Sequence, residues 1–429
     1  MNHNLFIMQG APGCGKSTFI KNNNLNDLVI SPDELRMIIN PNPIVYNADN
    51  NSMEHGYDFT SKTSRLAFEM ANNIMTERMR KGCDIILDLT AANRKTINKL
   101  LRTAYEFNYN VNYVNMQAGL ALDVINKRNH NRGMRAVPDD IVHKMYDNVN
   151  NYAYTDGEHV ITPDEMLSMM YITVDDIDGK YDGVRIIGDV QGSWARFHKS
   201  GFDTSVMLNP NILHVITGDI NDRGEAPDKM FDWVIDNIDR DNLIIIRGNH
   251  DNYWRYYGNQ NMLGYAGGRA TKDSMNLIHS KSKHAHGDWH VMRKIAMQTE
   301  RKFTDFKAIR YNGVIYVMTH GGLEPRFLHN AYNASMNAFN LGFMSSEDFY
   351  YGSGTIIGSG DYKIDIDRMI EDYNDDSIIQ IHGHRNNYNY KPDAFKHVFN
   401  LEQRVEYDDG ALADITINND NSITTRLVK

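Results

Sequence analysis

Apolar residues in the first 150 positions come in short runs separated by amphipathic stretches, the pattern of parallel strands joined by crossover helices. Leu5 to Met8, Leu28 to Ile30, Asp84 to Leu89 and Val111 to Met116 read as strands. Between 155 and 182 the pattern breaks on turn residues, Asp156-Gly157, Pro163, Asp178-Gly179 and Asp182-Gly183. A second series then starts, with Val184 to Ile187, Leu213 to Thr217, Leu243 to Ile246, Val314 to Thr319 and Ile378 to Ile381 each running into a polar loop. The pattern predicts an α/β chain of two domains, residues 1–160 and 183–429, joined by a linker over 161–182.

A length of 429 residues also exceeds what one hydrophobic core usually serves. No apolar run is long enough for a membrane span, so no membrane partner is expected. The first residues enter an apolar strand without the features of a secretion signal, and Cys14 and Cys83 are too few for a disulfide framework or a thiolate zinc site. A cytoplasmic location is expected, the host's cytoplasm if the chain is phage-encoded, and any metal must be held by oxygen and nitrogen. The formal charge of -10 argues against a generally basic coat, yet residues 252–310 carry eleven Lys and Arg against four Asp and Glu. Tyr253, Trp254, Tyr256, Tyr257, Tyr265, Trp289, Phe303 and Phe306 interleave with those cations, as in a groove for single-stranded nucleic acid, or else fill a core.

Gly10-Ala11-Pro12-Gly13-Cys14-Gly15-Lys16-Ser17-Thr18 follows a strand and precedes a helical stretch, the context in which a P-loop cradles NTP phosphates. Main-chain N–H groups from Gly10, Gly13, Cys14 and Gly15 point inward, Lys16 places a cation at the outer phosphates, and Ser17 can hold Mg²⁺. After the next strand, Ser31 suits an N-cap, Pro32 the first helical position and Glu34 a capping box, which puts Asp33 and Arg36 one turn apart on one face. A carboxylate there can take the proton of an attacking hydroxyl, and a guanidinium can grip the acceptor's own phosphate. Residues 127–135, with Lys127, Arg128, Arg132 and Arg135, read as a flexible lid that brings arginine to the transferring phosphate. Asp88-Leu89-Thr90 ends its strand and can line the same site.

Five blocks punctuate the second half: Gly188-Asp189-Val190-Gln191-Gly192, Gly218-Asp219-Ile220-Asn221-Asp222-Arg223-Gly224, Gly248-Asn249-His250-Asp251, Thr319-His320-Gly321-Gly322 and His382-Gly383-His384. Each follows an apolar strand, so carboxylate, amide and imidazole ligands gather at one end of a sheet, as hard divalent cations require. Two cations about 3.5–4 Å apart can share a carboxylate, clamp a phosphate and activate water.

The strings GAPGCGKST, SPDELR and KRNHNRGMRAVPDDIV resemble, in order, the kinase domain of phage polynucleotide 5'-kinases. The resemblance implies ATP with Mg²⁺ as cofactor, Lys16 and Ser17 on the phosphates, Asp33 as general base, Arg36 on the acceptor phosphate and Arg132 as the lid arginine. The five later blocks resemble the calcineurin-like phosphoesterases, especially the branch of serine/threonine protein phosphatases. That likeness implies an α/β sandwich with two Mn²⁺-type cations: Asp189 and Gln191 at the first, Asp219 bridging, and Asn249, His320 and His384 at the second. It further implies that Arg223 binds substrate phosphate and that His250, oriented by Asp251, protonates the leaving oxygen. Where this family usually has Asp-x-His, the chain has Asp189-Val190-Gln191, which weakens the first cation position; His382 is a spare imidazole nearby. Kinase followed by phosphatase is similar to the end-healing polynucleotide kinase-phosphatases of bacteria and phages, which implies RNA or DNA ends as substrate and a separate ligase. The residues alone also accommodate a small-molecule kinase fused to a protein or dinucleoside-polyphosphate phosphatase, or a nucleotide-sensing P-loop module; they leave the oligomeric state open.

Overall fold

The structure, a computed structural model, describes residues 3–41, 43–47, 52–55, 61–91, 93–133, 136–257, 268–353 and 364–429. The chain divides into two compact units between Tyr171 and Ile172, with Gly342–Ser345 counted with the first.

The first unit is built on a parallel sheet of β1 (Asn4–Gln9), β2 (Val29–Ile30), β3 (Ile85–Asp88), β4 (Asn110–Asn115) and β5 (Glu158–Ile161), in the order β2-β3-β1-β4-β5. Central β1 is buried along its whole length, as expected of a parallel strand covered on both faces. Leu5 and Ile7 pack with Ala67, Ala71 and Met75 of α3 (Ser61–Arg80) and with Leu100 and Leu101 of α4 (Arg94–Glu106). Phe6 and Met8 face the opposite side, toward Ile20 of α1 (Lys16–Asn22) and Met166.

The linker expected over 161–182 is replaced by ordered structure. Glu158–Ile161 forms the fifth strand of the first sheet, and its Glu158 takes a bidentate hydrogen bond from Arg94 at 2.8 and 3.0 Å. Pro163–Ser168 forms a short helix closed by a Thr162/Glu165 capping box. Turn residues in this stretch marked element ends, not a free connection.

The second unit is a two-sheet sandwich. One sheet has the order β8 (Leu243–Ile245), β7 (Ile212–Ile216), β6 (Gly183–Ile187), β13 (Leu412–Asn418), β14 (Ile423–Val428); its first three strands are parallel and the last two antiparallel. The other runs β12 (Val398–Asn400), β11 (Ile378–His382), β10 (Val314–Thr319), β9 (Phe306–Tyr311) and the short strand Asp175–Asp176. Alternation along the strands fills the space between the sheets with Val184, Ile186, Val215, Tyr316, Met318, Ile381 and Ile415. Ile187 and Ile216 point the other way, against α6 (Trp194–Ser200) and α7 (Pro227–Asn237). This α/β sandwich has the fold class expected from the strand pattern, and the loops beyond β6, β7, β8, β10 and β11 carry the five polar blocks.

Of the two readings open for the aromatics between 252 and 310, a groove or a core, the described ones fill a core. Trp254, Tyr257 and Phe303 are core residues, packed with Met275 and Ile278 of α8 (Gly268–Lys281) and Met292 and Ala296 of α9 (Trp289–Glu300), and Phe306 is buried as well. Tyr253, Tyr256 and Trp289 pack against that core, and Tyr265 lies outside the described residues. Lys283, Lys302 and Lys307 pair with Asp236, Asp239 and Asp175, so part of the positive run is neutralised within the unit.

Candidate active sites

In the first unit the P-loop leaves β1 at Gly10 and enters α1 at Lys16. Gly15 sits at φ 106°, where a side chain would be strained, and this turn aims the start of α1 at the loop's interior. A methyl at Gly13 would overlap the carbonyl of Ile125, so α5 (Leu122–His130) closes directly against the loop. Gln117 tightens it further, accepting the Ala11 N–H at 3.0 Å and donating to Tyr146 O and Asn150 Oδ1. Lys16 Nζ donates to Gly10 O at 2.6 Å, which holds the ammonium at the loop mouth.

A cleft of about 1410 Å³ opens above this loop and is lined by Gly13, Gly15, Lys16, Ser17 and Thr18 on one side. Asp33 and Arg36 of α2 (Pro32–Ile39), Asp88 at the end of β3, and Arg132 complete the wall. Gly10 and Cys14 stand apart from that lining. Gly10 serves through its carbonyl, while Cys14 is buried beside Ala11 and Ile125 with its N–H bonded to Ala11 O at 3.1 Å.

Ser31 caps α2 by accepting the Glu34 N–H at 3.4 Å, and Asp33 and Arg36 form an ion pair on its exposed face. Arg36 also lies 5.9 Å above the Phe68 ring, which keeps its stem from swinging. Burial raises the Asp88 pKa against the pull of Lys16 and Arg132. The stretch expected to be flexible is helical as far as His130, and buried Asn129 pins Val137 by two hydrogen bonds at 2.6 and 3.1 Å. Arg132 follows that helix directly; Arg135 lies outside the described residues.

In the second unit, ligand atoms of Asp219, His320 and His384 lie within 4.8 Å of one another. His320 Nδ1 donates to Thr217 O at 2.7 Å, which turns Nε2 toward Asp219 Oδ1 at 3.3 Å and Asn249 Oδ1 at 3.1 Å. Burial, and then His320, hold the His384 pKa low, so that ring stays neutral as a ligand must. Asp189 accepts the His384 N–H at 3.1 Å, and a methyl at Gly383 would overlap its carboxylate. Gln191 Nε2 donates to Asp219 Oδ2 at 2.9 Å, while its Oε1 is buried without a partner.

These residues suit divalent cations. The donor set is oxygen and imidazole, ring nitrogens are aimed inward, and an orphaned amide oxygen borders the cluster. Backbone geometry carries a cost here, because Gln191, Asp219, Asp222, Arg223 and His384 all have φ between 47° and 80°. Left-handed non-glycine residues cost roughly 1–3 kcal/mol each and gather where surroundings force a side chain into a site.

His250 shows where the expectation for Asp251 fails. Its Nδ1 bonds Asp222 Oδ2 at 2.8 Å, and its Nε2 accepts from Arg223 Nη2 at 2.9 Å. Thr271 Oγ1 donates to the same Asp222 oxygen at 2.6 Å. Asp251 instead takes the main-chain N–H groups of Ile220 and Gly248, at 3.0 and 2.8 Å, and ties two loops together. The left-handed turn at Asp222 swings that carboxylate back toward His250, which spacing along the chain does not reveal. Burial opposes a charge on His250, but Asp219 and Asp222 outweigh it and raise its pKa.

Arg223 also pairs with Glu406 at 3.0 Å. His382 points away from the cluster and bonds Asp367 at 2.8 Å, with Asn400 on the other Asp367 oxygen, a buried brace for the His384 loop. The carboxylate of Glu402, which no motif marked, contacts that of Asp189, and burial raises the pKa of both.

The sequence family described as "AAA domain" matches residues 5–151, and the one described as "Calcineurin-like phosphoesterase" matches residues 184–412. No curated protein matches the chain. Among solved structures, a protein serine/threonine phosphatase from Saccharomyces cerevisiae is similar at 14% identity, over 68% of this chain and 96% of that one, with a TM-score of 0.40. A cold-active protein-tyrosine phosphatase of a psychrophilic Shewanella is similar at 15% identity, over 61% of this chain and 84% of that one, with a TM-score of 0.34. No described helix is long and apolar enough to cross a membrane.

Proposed function

We propose, from the premise that this chain belongs to the calcineurin-like phosphoesterases, that it heals broken nucleic-acid ends with two activities. The first unit transfers the γ-phosphate of ATP to a 5'-OH end of RNA or DNA, and the second removes a 3'-phosphate or a 2',3'-cyclic phosphate. A separate ligase then joins the ends.

One observation carries the reading: a single cleft of the first unit presents Lys16 and Ser17 together with Asp33, Arg36 and Arg132. A bare nucleotide-binding module has no need of a carboxylate and guanidinium pair facing its P-loop. In this reading Lys16 and the loop amides hold the β and γ phosphates, and Ser17 holds Mg²⁺. Arg36 grips the phosphate nearest the 5' end. Asp33 takes the hydroxyl proton as the new O–P bond forms and the bond to the ADP oxygen breaks, while Arg132 neutralises charge on the transferring group.

In the second unit, Asp189, Gln191, Asp219, Asn249, His320 and His384 hold divalent cations, Mn²⁺ in this reading. When bound, these supply Lewis-acid activation of water and of the phosphate. Arg223 orients the phosphate oxygens. His250, set in its tautomer by Asp222, gives a proton to the departing sugar oxygen.

The test is incubation with labelled ATP, Mg²⁺ and Mn²⁺, and an oligonucleotide bearing 5'-OH and 3'-phosphate ends, with both ends analysed. The reading expects label at the 5' end and loss of the 3'-phosphate. Turnover confined to phosphopeptides, dinucleoside polyphosphates or small-molecule alcohols would replace it.

A further inference from the structure

The helix α8, which lies in sequence between the third and fourth polar blocks, reaches the second centre through one side chain. Thr271 in its first turn is fully buried, while Arg269 and Lys272 on either side are exposed. Thr271 Oγ1 donates to Asp222 Oδ2 at 2.6 Å, the same oxygen that bonds His250 Nδ1 at 2.8 Å. Those two partners fill the two lone-pair directions of Oδ2. Among the described residues Asp222 Oδ1 is buried and finds no hydrogen-bond partner. The carboxylate is therefore held at one oxygen, by the ring it orients and by this hydroxyl, on a backbone at φ 80°.

Thr271 stands 49 positions along the chain from Asp222, on a helix anchored in its own core by Met275 and Ile278. It thus fixes the carboxylate from an element that carries none of the five polar blocks. The bond stops Asp222 from turning about Cβ–Cγ and presenting its unpartnered oxygen to the ring. Nδ1 keeps its acceptor, and Nε2 stays directed toward Arg223 at 2.9 Å, the side on which phosphate is held in the reading above. Packing alone gives no reason for a hydroxyl here, since valine fills nearly the same volume without a polar atom to bury.

We propose that Thr271 is a positioning residue for leaving-group protonation: through Asp222 it holds His250 in line with the departing oxygen of an alkyl phosphate ester. As water forms the new bond to phosphorus, the ester P–O bond breaks and its oxygen takes the proton of His250. The substrates that depend on Thr271 are then esters of aliphatic alcohols such as a sugar hydroxyl. An aryl ester departs as a stable phenolate and needs no such proton. This inference rests on reading His250 as the proton donor, and a His250 variant separates the two.

The experiment measures kcat and KM of the full chain with Mn²⁺ on β-glycerophosphate, an alkyl ester, and on para-nitrophenyl phosphate, an aryl ester. Thr271→Val should lower the ratio of kcat on the alkyl ester to kcat on the aryl ester by about 10–100-fold, with KM on both unchanged. Thr271→Ser keeps the hydroxyl and should restore most of the ratio, and Thr271→Ala makes the same comparison should the valine variant fail to fold. His250→Asn should lower the ratio at least as far. Equal loss on both esters in the Val and Ala variants, or a Ser variant no better than they are, overturns the proposal; if His250→Asn still lowers the ratio, the reading of His250 stands. An unchanged ratio in His250→Asn, or a wild-type chain that hydrolyses neither ester, overturns both.

Discussion

In the first unit Asp33 stands in the open at 56% exposed while its partner Arg36 is largely covered at 11%, and the loop beneath them offers main chain and one ammonium. In the second the site groups are sealed, with His320 at 0% and Asp219 at 3%, on a backbone forced into left-handed conformations at five non-glycine positions. The first centre needs little from the rest of its unit beyond a strand, a turn and a helix. The second is assembled from five loops, and each ligand is also a structural partner of another. Substitutions in the first centre should therefore separate activity from stability, whereas in the second they should mix the two.

The largest separation is expected at Asp33. Asp33→Asn should lower end phosphorylation by roughly 10²–10⁴-fold, the usual worth of a general base, with ATP binding and melting temperature unchanged. Retained transfer would remove Asp33 from the chemistry. Next comes the contrast between Asp222 and Asp251. Asp222→Asn should slow phosphate release by roughly 10²-fold or more, because the His250 tautomer loses its anchor. Asp251→Asn should instead cost about 2 kcal/mol of stability in denaturant melts, since an amide can accept only one of the two main-chain N–H groups that the carboxyl oxygens tie. Equal effects on rate and stability from both would erase the distinction drawn between them.

The P-loop was legible because its chemistry is contiguous: one strand, one glycine loop, and Lys16-Ser17 at the start of a helix. Ligand-bearing loops of the second unit were legible for a related reason, each being a polar block hung on an apolar strand. Partnerships inside the blocks were not. Asp222 and Asp251 are both acidic and both near His250 in sequence, and a φ of 80° at Asp222 decides which of them meets the ring. Glu402 gave no signal, being an isolated glutamate whose position depends on Gly188 admitting Leu401. Trp254 and Tyr257 suited a groove by composition but entered the core, which took their large apolar area. Glu158-His159-Val160-Ile161 was too short and polar to stand out from turns, and Arg94 reveals why it is held.

The smallest effect is one of pH on the second unit. His214 is fully buried, with Nε2 against Ser205 Oγ at 2.8 Å, and burial lowers its pKa to about 4. Since the unfolded chain protonates first, near pH 6.5, this contribution to stability is complete above that value and declines as pH falls toward 4. By pH 5 the loss should be about 2 kcal/mol in melts that follow the second unit, and a His214→Asn variant should show a flatter slope. An unchanged slope in that variant would place the titration elsewhere.

On the proposed reading, one chain carries two separate phosphate chemistries for the two ends of a broken strand. The direct measurement gives an oligonucleotide with 5'-OH and 3'-phosphate ends, and ATP, to the wild type, Lys16→Ala and Asp219→Ala. Wild type should convert both ends, Lys16→Ala the 3' end alone, and Asp219→Ala the 5' end alone. Loss of both activities in either variant, or wild-type failure at the 5' end while small-molecule alcohols are phosphorylated, would contradict it.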